Sequence, residues 1–245
     1  VNTNLLDQIP KANTQKGVTR QVFLFLQKYL QLNQNLKLID VPCGEGHFSN
    51  FLMQQFPQLQ IHGVDFYAKN PAPKFHFYAL KAHDYFLKHS PQQIDAICCI
   101  SGVMCFDGIP DLFSQFQSCL KPDGLVIITN DNIMTIRDRI HFVMFGSFKR
   151  FRLMFSEDQG NWNVLLPQAL WMHLRRQNLE VLDVRYTSIY SEDWIFLPLA
   201  LLLYPIFWLY MMTAKGPMPK TIRRKFFGFS SLLARHYVIV AQKYG

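Results

Sequence analysis

The sequence predicts an α/β fold built on a mostly parallel sheet, and three observations carry that reading. Short apolar runs recur at 36–41, 59–64, 75–78, 94–100 and 125–129. Stretches with apolar residues at helical spacing separate several of them, and strands that alternate with helices imply parallel pairing. The run at 94–100 is almost continuously apolar, as expected of a strand covered on both faces.

Taken in order, residues 14–32 place Val18, Val22, Phe25, Leu26, Tyr29 and Leu30 on one helical face. Strand one, Leu36–Val41, ends in an acid and a tight small-residue turn. A helix over 47–56 follows and stops at Pro57. Strand two is Leu59–Val64, strand three Phe75–Tyr78 and strand four Ile94–Ile100. Residues 110–119 make a helix, Lys121-Pro122-Asp123-Gly124 a turn, and Leu125–Thr129 strand five. An aromatic and basic stretch then occupies 133–152. A helix over 167–178 and a strand at Leu179–Tyr186 precede nineteen residues, 194–212, that carry no charged side chain. A basic segment with Lys215, Lys220, Arg223, Arg224 and Lys225 leads to a last strand at His236–Gln242.

Composition sets the bounds. The 245 residues suffice for one large domain, and nearly half are hydrophobic. With 22 phenylalanines, some apolar surface has a destination other than the core. A net charge of +8 suits an anionic partner, whether nucleic acid, acidic membrane or phosphorylated substrate. The five cysteines are odd in number and form no CxxC pair, which reads as reduced thiols in a cytosolic setting. His47, His62, His76 and His89 lack metal-ligand spacing, so no metal site is expected. Residues 1–17 lack the apolar core of a signal peptide.

The stretch Leu38–Asp65 carries the chemistry. Gly44 and Gly46 let a ligand approach the backbone, and the helix behind them presents free N–H groups and a positive dipole end. Asp65 ends strand two, 19 residues after Gly46, where a carboxylate can accept both hydrogen bonds of a ribose diol. Two nucleoside cofactors use this geometry. The dinucleotide fingerprint wants GxGxxG, but Ser49 fills the third slot here. S-adenosylmethionine (SAM) calls for an acid at the end of strand one followed by spaced glycines, and Asp40-x-Pro42-x-Gly44-x-Gly46 supplies it with proline in place of the first glycine. Asp40 can pair with an ammonium group that SAM has and NAD lacks.

Over residues 14–186 and 236–242 the chain resembles the class I SAM-dependent methyltransferases. Ala82-His83-Asp84 resembles the adenine-contacting segment, IDAICCISGVMCF the fourth strand and its loop, and LKPDGLVIITNDN the turn and fifth strand. The resemblance implies a Rossmann-like seven-stranded sheet with an antiparallel last strand, and the uncharged run at 194–212 adds an apolar helical insert between the last two strands. It also implies cofactor contacts from Asp40, Pro42, Cys43, Gly44, Gly46, Asp65, Phe66, His83, Asp84 and Ser101. DVPCGEG and RDRIHFVMFGSFKRF are similar to a subgroup that acts on glycans or lipid-linked intermediates.

Methyl transfer needs the acceptor held in line and dry, with a base where oxygen or nitrogen must lose a proton. Asp107, Asp131 and His141 are the candidate bases, and the alternative role for Asp131 is helix capping. Ser101-Gly102-Val103-Met104 replaces the Asn- or acid-Pro-Pro-aromatic signature of nucleobase amine methylators, which argues against adenine or cytosine amine methylation, and oxygen is the expected target atom. No appended nucleic-acid-binding module is legible.

Residues 194–212 have the length of a bilayer span, yet they lie between two strands of one sheet, and Pro198 and Pro205 interrupt them. The expectation is a proline-bent hairpin or in-plane helix pair dipping into one leaflet. Trp194, Tyr204, Trp208 and Tyr210 would sit at the interface and Lys215–Lys225 at anionic headgroups. The stretch 136–152 is expected on the same face. The organisation expected is a SAM-binding core over 1–190, a membrane-docking insert over 191–225 and a closing strand over 226–245. Such a chain would sit on the cytoplasmic membrane face and methylate a membrane-resident or lipid-linked acceptor. The competing readings are a small-molecule or quinone methyltransferase with the insert as substrate lid, and a SAM-binding module without catalysis.

Overall fold

A computed structural model describes residues 3–12, 14–69, 71, 73–149 and 163–244. Helices α1 (Thr3–Gln8) and α2 (Lys16–Tyr29) lead into strand β1 (Lys37–Asp40). Then come α3 (His47–Gln55), β2 (Gln60–Val64), β3 (His76–Tyr78), α4 (Ala82–His89), β4 (Ile94–Cys99), α5 (Ile109–Cys119), β5 (Leu120–Asp131), α6 (Ile136–Phe145), α7 (Pro167–Arg176) and β6 (Leu179–Thr187). The insert is α8 (Leu197–Thr213) followed by α9 (Lys220–Phe226), and β7 (His236–Lys243) completes the sheet.

The seven strands run in the order β3-β2-β1-β4-β5-β7-β6. Pairing is parallel from β3 to β5, and β7 is antiparallel to both β5 and β6. The expected α/β class, the strand count and the antiparallel flank are all present. The LKPDG turn lies inside β5, where Asp123 adopts a φ of 63° and the register with β4 shifts before pairing resumes at Ala96 and Leu125.

Alternation along the strands splits the core between two faces. On one face Leu38, Ile61, Ala96, Ile127 and Val240 pack under α2 and α3. On the other, Ile39, Ile97, Val126 and Ile239 pack under α4, α5, α7 and α9. This double cover explains the nearly continuous apolar character of β4, which Asp95 alone interrupts. Cys98, Cys99 and Cys119 sit in these cores, and burial raises each thiol pKa, in keeping with packing roles.

The insert differs from the sequence expectation. Residues 197–213 form one continuous helix rather than a hairpin. Pro198 sits in its first turn, where an N–H would be unpaired anyway. Pro205 removes one internal hydrogen bond, whereas breaking the helix there would orphan several donors and acceptors at two new ends. Of its seventeen residues only Ala200 is buried, while Leu201, Leu202, Ile206, Trp208, Leu209 and Tyr210 are exposed. Tyr204, expected at the interface, is half-buried and packs edge-on against Phe229.

Both ends of α8 are fastened to the sheet-bearing body. Before its first turn, buried Asp193 receives hydrogen bonds from Nε and Nη2 of Arg235, which adjoins β7. At the other end the buried Arg223 guanidinium donates to the carbonyls of Met211, Ala214 and Met218, capping the helix terminus. Lys225 donates to Leu182 O and pairs with Asp183 on β6. Two of the five basic residues expected at headgroups therefore serve the fold, while Lys215, Lys220 and Arg224 lie exposed.

Candidate cofactor and acceptor site

The site forms where β1, β2 and β4 end, on the side of the sheet from which their loops emerge. After β1 the chain turns through Gly44 and Gly46, both at positive φ. Gly46 caps α3, and a Cβ there would fall 2.5 Å from the Phe75 ring. Gly63 receives the same ring, with a Cβ only 2.2 Å away, so Phe75 locks the turn against β2. Gly102 completes the packing, since a Cβ on it would overlap the Pro42 ring at 2.0 Å.

Two adjoining recesses share Pro42. The larger, about 280 Å³, is lined by Asp65, Phe66 and Tyr67 after β2, by Leu80–His83 at the start of α4, and by Ser101, Gly102 and Cys105–Gly108 after β4. The smaller holds Asp40, Cys43 and Gly44, with Ala12 and Thr14 of the N-terminal segment as its roof.

Asp65 is fixed on both oxygens: Gly44 N–H donates to Oδ2 at 2.8 Å and Tyr67 N–H to Oδ1 at 2.7 Å. The carboxylate is thereby tied to the glycine turn. Asp40 is 4% exposed. Its Oδ2 accepts from Ser49 Oγ at 2.6 Å, while Oδ1 is buried with no hydrogen-bond partner among the described residues. Burial pushes its pKa up to about 7, against the Ser49 hydrogen bond that lowers it. Burial likewise raises the Cys43 thiol, and the nearby Asp40 and Asp65 carboxylates add to the shift. A backbone hydroxyl link fixes the β4 loop: Ser101 N–H donates to Thr129 Oγ1 and Ser101 Oγ to Thr14 Oγ1.

Of the residues singled out from sequence, the cavity brings together Pro42, Asp65, Phe66, His83, Ser101 and Asp107, with Asp40, Cys43 and Gly44 in the adjoining recess. Gly46 lines neither and acts through the turn's shape. Asp84 does not reach the cavity. It lies exposed in the first turn of α4, because Ala82 and His83 take the cavity-facing positions. His83 is held by Gln115 Nε2 at 2.8 Å.

The three candidate bases separate. Asp107 lines the cavity and is exposed to it. Asp131, the last residue of β5, is buried and faces His236 Nε2 at 3.3 Å across the β5–β7 ladder. The capping role at α6 falls instead to Thr135, whose Oγ1 accepts from Asp138 N–H. His141 lies on α6 with Nδ1 2.6 Å from Ser147 O, away from the cavity lining. Tyr67, Leu80, Lys81 and Phe106 line the cavity without having been singled out, since nothing in their spacing marks them.

The sequence profile of the methyltransferase domain family matches residues 14–184, and the chain belongs to that family. Solved structures agree on the fold. A SAM-dependent methyltransferase from Archaeoglobus fulgidus superposes with a TM-score of 0.59 at 16% identity, covering 99% of this chain and 100% of that one. The 1,6-didemethyltoxoflavin-N1-methyltransferase of Burkholderia thailandensis, bound to its substrate and S-adenosylhomocysteine, superposes with a TM-score of 0.56 at 12% identity, covering 93% of this chain and 79% of that one. No curated protein sequence matches. Family and fold make the chain a methyltransferase with SAM as cofactor.

The residues present fit that cofactor. Among the described residues Asp40 Oδ1 is the one carboxylate oxygen that is buried without a hydrogen-bond partner, which suits an ammonium group, and Asp65 is already oriented by two backbone N–H groups.

Proposed function

We propose that the chain methylates a hydroxyl of a lipophilic, membrane-resident or lipid-linked acceptor at the cytosolic face of a membrane. The observation that carries this reading is α8: an apolar helix with one buried residue, fastened at both ends to the catalytic body. A helix of seventeen residues is about 25 Å long and could reach across a hydrocarbon core. With Asp193 held by Arg235 and residues 211–218 held by Arg223, its two ends stay with one soluble body. An in-plane pose in one leaflet satisfies both constraints. Lys215, Lys220 and Arg224 stand at its C-terminal end, each worth about 1 kcal/mol against anionic headgroups.

Bound SAM supplies an activated methyl group. The chain's own part is positioning. Asp40 holds the cofactor's ammonium group and Asp65 its ribose diol, and the Gly44–Gly46 turn admits it close to the backbone. Ser101, held by Thr14 and Thr129, fixes the wall beside the reacting end. Asp107 is the group placed to take the acceptor's proton. Asp131, locked to His236, maintains the adjoining end of β5.

Two measurements test the proposal. Incubating membranes and lysate fractions with radiolabelled SAM should move label into an organic extract, and label confined to RNA or to water-soluble products would overturn the acceptor class. Asp107→Asn should lower turnover by about 100-fold with SAM affinity intact. Unchanged turnover would remove Asp107 from the proton-accepting role.

A further inference from the structure

Resting on the membrane reading of α8, we propose that α6 is a second membrane-contacting foot, set between α8 and the acceptor end of the cavity. The first half of α6 belongs to the protein body. Ile136 and Asp138 are buried, and Ile136 packs with Ala200 of α8 and Leu232. The second half leaves it. Phe142, Val143, Met144 and Phe145 are four successive exposed apolar residues, Val143 at 85% and Phe145 at 63%. A soluble surface helix spaces its apolar residues along one stripe, and four in a row turn the whole circumference apolar. Gly146, at a φ of 67°, ends the helix with nothing near its Cβ position.

Three features point to lipid as the occupant. The two helices adjoin: Ile136, buried against α8, shares one side of α6 with the exposed Arg139, Ile140 and Val143, and the Arg139 guanidinium lies 4.9 Å from the Phe207 ring of α8. The charges at the rim are positive: Arg139, Lys149, Lys215, Lys220 and Arg224 are exposed, and α6 carries no acid beyond the buried Asp138. The foot also connects to the site. Phe142 stacks on Phe148 at 5.0 Å, Phe148 packs on Met104 and Ile133, and Met104 lies in the turn whose neighbours Gly102 and Cys105 line the cavity. A run of packed apolar side chains thus joins the foot to the cavity wall. Arg150 and Arg152, which the sequence placed on this face, lie outside the described residues.

The test uses the full chain and flotation with phosphatidylcholine vesicles, with and without phosphatidylglycerol. Calorimetry with SAM reports the intact cavity. The pair Val143→Asp and Phe145→Asp should lower vesicle partition at least about tenfold while SAM binding is unchanged. If that pair floats like the parent while Leu202→Asp with Ile206→Asp does not, α6 is no foot and the membrane reading of α8 survives. If the parent itself fails to float, the membrane reading falls and this inference with it. If sedimentation shows a lipid-free dimer that the α6 pair dissociates, the patch belongs to a second copy of the chain and the inference is overturned. Should the Asp pair lose SAM binding, Val143→Ser with Phe145→Ser repeats the measurement with milder changes at the same exposed positions, under the same criteria.

Discussion

The turn at residues 41–46 and the helix at 197–213 solve opposite problems. At the turn, the Asp40 and Asp65 carboxylates are buried or half-buried, and all but one of their oxygens are matched within the protein. Asp65 is satisfied on both oxygens, and Asp40 on one of two. Along α8, large apolar groups are exposed and almost none is matched. Each region is therefore incomplete in the currency its partner carries: a buried carboxylate oxygen awaits a cation, and an uncovered apolar helix awaits a dry surface. What a fold leaves unsatisfied identifies its ligands better than what it packs.

Breaking the polar side should have the largest effect. Asp65→Ala removes the acceptor fixed by Gly44 and Tyr67 and should weaken SAM binding about 100-fold or more by calorimetry, with vesicle flotation unchanged. Next, Gly102→Ala drives a methyl into the Pro42 ring, from which it would lie 2.0 Å, and should cost about 2–4 kcal/mol in chemical denaturation. On the apolar side, Arg223→Met leaves the carbonyls of Met211, Ala214 and Met218 without their donor. It should speed hydrogen exchange at the end of α8 and cost about 2–3 kcal/mol.

The smallest effects sharpen the comparison. Asp40 must be charged to hold an ammonium group, and burial sets its pKa near 7. SAM affinity should peak between pH 7 and about 8, falling about tenfold per unit below that as Asp40 takes up a proton and falling again above it as the ligand's own α-ammonium loses one. Methylthioadenosine, which lacks the ammonium, should show no such slope. Stability moves the other way. The folded pKa lies above the unfolded value of 3.8, so the charged form disfavours folding, and that cost grows as pH rises from about 4 through 7. Asp40→Asn should accordingly stabilise the cofactor-free protein by about 1–3 kcal/mol at pH 8 and by nothing near pH 4. Equal denaturation midpoints at pH 8 would contradict the burial argument.

The cofactor end was legible because its signals are local. Acid, glycines and second acid lie within one strand–turn–helix–strand unit, and backbone geometry brings them together whatever the rest of the chain does. The sheet was legible for the same reason, element by element. Asp84 falls outside the cavity lining, because a segment match cannot say which side of α4 faces the cavity. Helix α4 itself went unread, since Ala82, Tyr85 and Phe86 give too short a periodic run to register. The insert was read correctly as apolar and wrongly as a hairpin or helix pair. Its course is set by Arg223 against residues 211–218 and by Asp193 against Arg235, pairs that no local pattern announces.

The position of β7 carries a consequence for how the protein is made. That strand sits between β5 and β6, yet it follows α8 in the chain. During synthesis the apolar helix must emerge while the sheet still has a gap, and before Arg235 has appeared to anchor it. For that interval the nascent chain presents greasy surface with nothing to restrain it, a state that invites capture by a chaperone or by the bilayer itself.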